Sequence, residues 1–296
     1  MSQTAAHSLR AQSQVLAGKL HPVLAQAHHL AATVQLGTHG RRRAGRGDEF
    51  WQYRPAQPGD ARRTIDWRRS ARADQHYVQD KEWQAAQTVW FWVDAGHSMQ
   101  FSSTDTGPTK AHAAQIVALA LAILLVRAGE RVGLIGQTQL PPAGGELQIE
   151  RMALSMVQPP TAPPEYETPH LRGIPRYGRL VLLSDFLTDL PPLITEIDQA
   201  NGAGLSGAMV QMLDPQEIDF PFRGRIIFES MQRRFQHETR QAGALRATYA
   251  ARLAERQQAL HDLARRTGWQ FRTARSDASL AQELLWVSQA IERRAK

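Results

Sequence analysis

Val89-Trp90-Phe91-Trp92-Val93 is a run of five apolar residues closing on Asp94, and Ala95-Gly96-His97-Ser98-Met99 follows it. A run this short, with no polar residue alternating through it, reads as a strand covered on both faces, the condition of a parallel sheet. Outward from it, strands and helices alternate. A strongly apolar helix is predicted over 109–128, a strand over 131–136, and a loop through Pro141, Pro142, Gly144 and Gly145, then a helix over 150–157. After a proline-rich stretch, Leu180 to Leu183 form another buried strand, closing on Asp185. A helix over 190–200, a strand over 205–213, an edge strand over 225–228, a long helix over 239–266, a last strand over 269–273 and a helix over 280–294 complete the pattern. Repeated strand-helix-strand units imply an α/β fold with a doubly wound, mainly parallel sheet, assigned here to 88–296.

Residues 1–87 read as a separate accessory region. Leu20, Val23, Leu24, Ala27, Leu30 and Ala31 recur at helical spacing, and the adjacent His28 and His29 point about 100° apart, which suits surface groups better than a shared metal. Between Arg41 and Arg72 lie ten arginines and four acids, so +6 of the formal net charge of +7 sits there. The segment holds no lysine, and its arginines are interleaved with Asp48, Glu49, Asp60, Asp66, Trp51, Tyr53 and Trp67. Arginine suits forked ion pairs and aromatic stacking, so Arg54, Asp60, Arg63, Asp66, Trp67, Arg68 and Arg72 are expected to form a structural clamp or partner-binding surface. Within it, Arg54, Arg63 and Asp66 should pair and Trp67 should be buried. Nucleic-acid binding through the same cluster is the alternative. The segment over 75–87 is expected to be a strand.

Composition removes several chemistries. With no cysteine, disulfides, thiolate zinc sites, iron–sulfur clusters and cysteine nucleophiles are excluded. The longest apolar stretch, Ile116 to Val126, has eleven residues, against roughly 20 for a bilayer span. Residues 1–20 offer no continuous apolar signal core. A cytoplasmic protein is expected.

Acids at strand ends in a doubly wound sheet stand where ligands bind. Asp94 and Asp185, with hydroxyls nearby, are hard oxygen donors suited to Mg²⁺ or Mn²⁺, although such acids also serve merely as helix caps.

The strings Gly45-Arg46-Gly47-Asp48-Glu49-Phe50, Tyr53-Arg54-Pro55, Pro58-Gly59-Asp60, Arg63-Thr64-Ile65-Asp66-Trp67, Ser70-Ala71-Arg72 and Glu82 resemble the signature of the domain-of-unknown-function 58 family. The likeness continues through Asp94 with Ser98-Met99, Ser184-Asp185-Phe186 and Asp214-Pro215-Gln216-Glu217. It implies a von Willebrand factor A-like fold, a non-catalytic role, and work beside MoxR-type AAA+ ATPases on client proteins. Longer members of that family carry membrane helices. The metal-ion-dependent adhesion site of A domains, Asp-x-Ser-x-Ser with a later threonine and aspartate, carries over as Asp94, Ser98, Thr168 and Asp185. Gly96 stands where the first serine belongs. A divalent ion there would keep an open position that an acidic side chain of a partner completes.

Catalysis finds less support. The Asp94, His97, Ser98 and Asp185 group would suit a metal-dependent phosphohydrolase. However, the chain has neither a Gly-x-Ser-x-Gly elbow nor a Walker loop, so a non-enzymatic adaptor is expected.

Overall fold

A computed structural model describes residues 18, 20–34, 41–45, 49–56, 65–72, 75–85, 87–136, 139–158, 162–234 and 236–292. It divides into two units, Met1–Gly37 with Thr88–Lys296, and Thr38–Gln87. The helix expected in an accessory region, α1 over 20–32, thus belongs to the larger unit. Its Val23, Ala27 and Ala31 are spaced by four residues, share one face and join the core there.

The smaller unit is a three-stranded antiparallel sheet of β1 (Arg41–Gly45), β2 (Glu49–Pro55) and β3 (Tyr77–Ala85) in the order β1-β3-β2. A single helical turn, α2 (Trp67–Ser70), precedes β3. Asp66 caps this turn by accepting the Arg69 N–H at 3.0 Å. The Ser70 hydroxyl donates to the Asp66 carbonyl at 2.7 Å and accepts the Tyr77 N–H at 2.9 Å, tying the turn to the strand.

In the larger unit the chain runs through β4 (Thr88–Val93), α3 (Lys110–Arg127), β5 (Arg131–Ile135), β6 (Leu140–Ala143), α4 (Glu146–Val157) and β7 (Arg179–Ser184). It continues through α5 (Leu190–Gly202), β8 (Ser206–Leu213), α6 (Pro215–Asp219), β9 (Ile226–Glu229), β10 (Gln236–Thr239), α7 (Ala242–Thr267), β11 (Gln270–Arg275) and α8 (Leu280–Glu292). The main sheet has the order β11-β8-β7-β4-β5-β6, parallel throughout except for β6. Alternation explains the unbroken apolar run from Val89 to Val93. Val89 and Phe91 enter the core beneath α1, α3, α4 and α8, while Trp90 and Trp92 enter the one beneath α5 and α7.

Helix α3 is long and apolar enough to cross a membrane by length and composition, yet 78% of that window is buried within the fold. Two expectations are corrected. Pro141 and Pro142 do not lie in a loop but in β6, an antiparallel edge strand, where a missing N–H is tolerated. The strand near 225–228 is not an edge of the main sheet; β9 pairs with β10 in a separate hairpin.

Candidate functional site

From β4 the chain builds outward to β5 and β6 and then returns to place β7 on the other side of β4. Strand order therefore reverses between β4 and β7, and in sheets of this kind ligands bind at the carboxyl ends of the strands flanking such a reversal. Asp94 follows β4 directly and Asp185 follows β7. Both are buried on one rim, and the Asp94 N–H extends the ladder by donating to the Leu183 carbonyl at 2.9 Å.

Every oxygen of the two carboxylates carries a hydrogen bond. Asp94 Oδ1 accepts the Gly96 N–H at 2.7 Å and Oδ2 the Ser184 hydroxyl at 2.6 Å. Burial, with the charge of Asp185 adding, pushes the Asp94 carboxyl up to about 7. Asp185 Oδ1 accepts the Leu187 N–H at 3.0 Å, and Oδ2 accepts the ammonium of Lys110 at 2.9 Å. Lys110 opens α3, is 0% exposed, and donates also to Glu217 Oε1 at 2.7 Å. Burial opposes its charge, but Asp185 and Glu217 outweigh burial and hold the ammonium above its ordinary range. Glu217 is fixed by the cap of α6, where its Oε2 accepts the Asp214 N–H at 2.8 Å. Asp214 in turn accepts the Ser103 N–H at 2.9 Å. A continuous polar network thus joins the segments that follow β4, β7 and β8.

The segment 162–171 closes over the turn after β4. The N–H groups of His97 and Ser98 donate to the carbonyls of Pro164 and Glu165, and Glu167 Oε2 accepts the Ala95 N–H at 2.9 Å. This packing explains Gly96. A Cβ there would lie 2.9 Å from Asp94 Oδ1 and 3.0 Å from the Glu165 carbonyl, so the serine of the adhesion motif has no room.

Of the four expected metal ligands, Asp94, Ser98 and Asp185 gather at the rim, while the Thr168 hydroxyl pairs with that of Thr188 at 2.8 Å. Ser98 Oγ is buried and has no hydrogen-bond partner among the described residues. As arranged, these side chains do not fit a divalent ion. Asp185 faces an ammonium, both Asp94 oxygens already accept hydrogen bonds, and no group of three metal-binding side chains occurs among the described residues. Sequence reasoning missed Lys110 and Glu167. Ser184 and Glu217 it saw only as parts of family strings.

Beside the network lies a cavity of about 350 Å³ whose lining includes Ser98, Phe101, Tyr166, Glu217, Phe220, Phe228 and Tyr249. Phe220 stacks on Tyr249 at 4.8 Å and on Phe228 at 5.8 Å between ring centroids. Burial, reinforced by the charge of Glu217, pushes the Tyr249 hydroxyl up to about 12. Three large side chains on the same lining are exposed: Tyr166 at 43%, Ile227 at 50% and Met231 at 43%. From α7, Arg256 donates to the carbonyls of Phe186 and Thr188 at 2.8 and 2.6 Å, so this arginine braces the rim.

The arginine-rich clamp is only partly visible. Asp60 and Arg63 lie outside the described residues, and of Arg54 only the strand backbone is described. Asp66 is a helix cap, and Arg68 and Arg72 are exposed. Trp67 is not buried; it is 56% exposed and meets the His76 ring edge-on at 5.4 Å. Stacking falls to Arg69, which lies over the Tyr77 ring at 5.5 Å.

A family model described as "Protein of unknown function DUF58" matches residues 52–259. Uncharacterised proteins of Mycobacterium bovis and of Mycobacterium tuberculosis are each 25% identical over 203 residues, covering 64% of this chain and 62% of their own length. Among solved structures, an aerotolerance-related membrane protein from Bacteroides fragilis aligns with 16% identity over 70% of this chain and 98% of its own, at a TM-score of 0.40. The conserved hypothetical protein BatB from Bacteroides thetaiotaomicron aligns with 14% identity over 70% of this chain and 97% of its own, at a TM-score of 0.39.

Proposed function

This chain belongs to the DUF58 family, and on that premise we propose that it is a non-enzymatic adaptor of the von Willebrand factor A type, working beside a MoxR-type AAA+ ATPase on a client protein. The single observation that carries the reading is the grouping of exposed Tyr166, Ile227 and Met231 on one aromatic cavity directly beside the reversal of strand order. Two features support the A-type assignment: the strand order β11-β8-β7-β4-β5-β6 with a lone antiparallel edge, and the acids that close β4 and β7.

Docking uses the segments after β4, around Thr168 and after β7. Hydrogen bonds already fix these segments, two of them buried, so a partner meets a surface that needs little ordering, which lowers the entropic cost of association. The apolar lining favours a partner polypeptide that inserts an aliphatic or aromatic side chain. A non-catalytic role agrees with the pairing of Asp185, Lys110 and Glu217 among themselves, and with the lack of a base on Ser98 Oγ among the described residues. A partner that hydrolyses ATP supports an encounter in the cytoplasm.

The test is equilibrium binding of the purified full chain to a MoxR-type ATPase from the same cell, with and without ATP. Wild type should bind, and Ile227→Asp with Met231→Asp should weaken binding at least about tenfold, or about 1.4 kcal/mol. Unchanged affinity in the double variant removes the cavity from the docking surface.

A further inference from the structure

Lys110 stands where a cation is least expected from local rules. It is the first residue of α3 after the Thr109 cap, and the positive end of a helix dipole disfavours an ammonium. Burial disfavours it as well. What holds it is a pair of carboxylates supplied by two different crossings of the sheet: Asp185 after β7 at 2.9 Å and Glu217 in α6, after β8, at 2.7 Å. Two carboxylates from separate loops converging on one buried positive charge is the layout of an ion site, with the ion covalently attached to the chain.

We propose that the Lys110 ammonium takes the place of a divalent cation at this rim, so that the loops are organised by an ion the chain itself carries and the site does not respond to Mg²⁺ or Mn²⁺. Three further observations favour this. Gly96 leaves no space for the hydroxyl that would complete an oxygen shell. The Thr168 hydroxyl already has a partner in the Thr188 hydroxyl at 2.8 Å. A divalent ion added beside Asp185 would also meet the resident ammonium at close range and be repelled by it. Whatever docks on the rim, the identity of the ion is a separate matter, and it is tested with no partner present.

The experiment is a Mn²⁺ titration of the full chain, followed by calorimetry and thermal unfolding. Wild type, Lys110→Ala and Lys110→Met are compared. Wild type should give no saturable heat and no shift in Tm. Lys110→Ala vacates the ammonium and leaves Asp185 and Glu217 facing a gap, so Mn²⁺ should bind and raise its Tm by several degrees. Lys110→Met fills the gap without charge and should be insensitive to the metal. Saturable binding to wild type that disappears in Asp185→Asn overturns the proposal. So does a folded Lys110→Ala that ignores Mn²⁺; if that variant folds under neither condition, the wild-type titration decides alone.

Discussion

Lys110 Nζ lies 2.9 Å from Asp185 Oδ2, with side chains 0% and 1% exposed, so an ion pair sits entirely inside the fold at the carboxyl edge of the sheet. Removing the ammonium strands Asp185 and Glu217 together. Lys110→Met should therefore destabilise by about 3–5 kcal/mol in urea unfolding, the range for breaking one side of a buried pair. A loss below about 1 kcal/mol, typical of a surface pair, would mean that the network is solvated.

Ser184 links the two aspartates' segments by donating to Asp94 Oδ2 and accepting from the Phe186 N–H. Ser184→Ala leaves two buried polar atoms without partners and should cost about 1–3 kcal/mol. Full wild-type stability in chemical denaturation would indicate that the hydroxyl is dispensable.

Gly96→Ser restores the first serine of the adhesion motif, and the sequence likeness alone would expect it to help metal binding. The contact at 2.9 Å to Asp94 Oδ1 says otherwise. Overpacking at such a site costs about 1–3 kcal/mol, so the variant should melt earlier, with or without Mg²⁺. A stabilised, Mg²⁺-responsive variant would show that the loop opens readily.

His112 is pushed below its ordinary pKa by burial, and its Nε2 lies 3.0 Å from the Gln26 side chain on α1. Since the folded chain binds this proton less readily than the unfolded chain, the contribution of neutral His112 is complete above about pH 6.5 and is lost as pH falls through the lowered value. Unfolding measured from pH 7.5 downward should show this loss in wild type and not in His112→Gln. Identical pH profiles would place the imidazole in solvent.

Trp67→Ala should cost well below the roughly 3–5 kcal/mol of losing a buried tryptophan, because the indole is 56% exposed and its ring contact is the edge-on one with His76. A cost of several kcal/mol in thermal unfolding would restore the buried clamp.

The sheet was legible because its strands are continuous apolar runs ending on acids: Val89 to Val93 before Asp94 and Leu180 to Leu183 before Asp185. Their alternating faces are both buried, and that condition writes itself into composition. Strands β1 and β2 were not foreseen: β1 is three arginines followed by Ala44 and Gly45, and in β2 a register shift between Phe50 and Gln52 breaks the period-2 pattern. Lys110 escaped for a different reason. A lysine at the start of a helix looks like a solvated end, and only the three-dimensional meeting of Asp185 and Glu217, 75 and 107 residues away, makes it an internal ion. For Trp67, closeness in sequence to arginines and acids does not make packing, and the indole that opens α2 stays 56% exposed to solvent.

Amide hydrogen exchange of the full chain, alone and bound to the ATPase in the presence of ATP, tests the docking reading most directly. New protection should concentrate in 94–103, 162–171, 185–189 and 226–231, the segments that frame the aromatic cavity. Protection confined to 41–85, with those four segments unchanged, would contradict it and move the partner surface to the arginine-rich sheet.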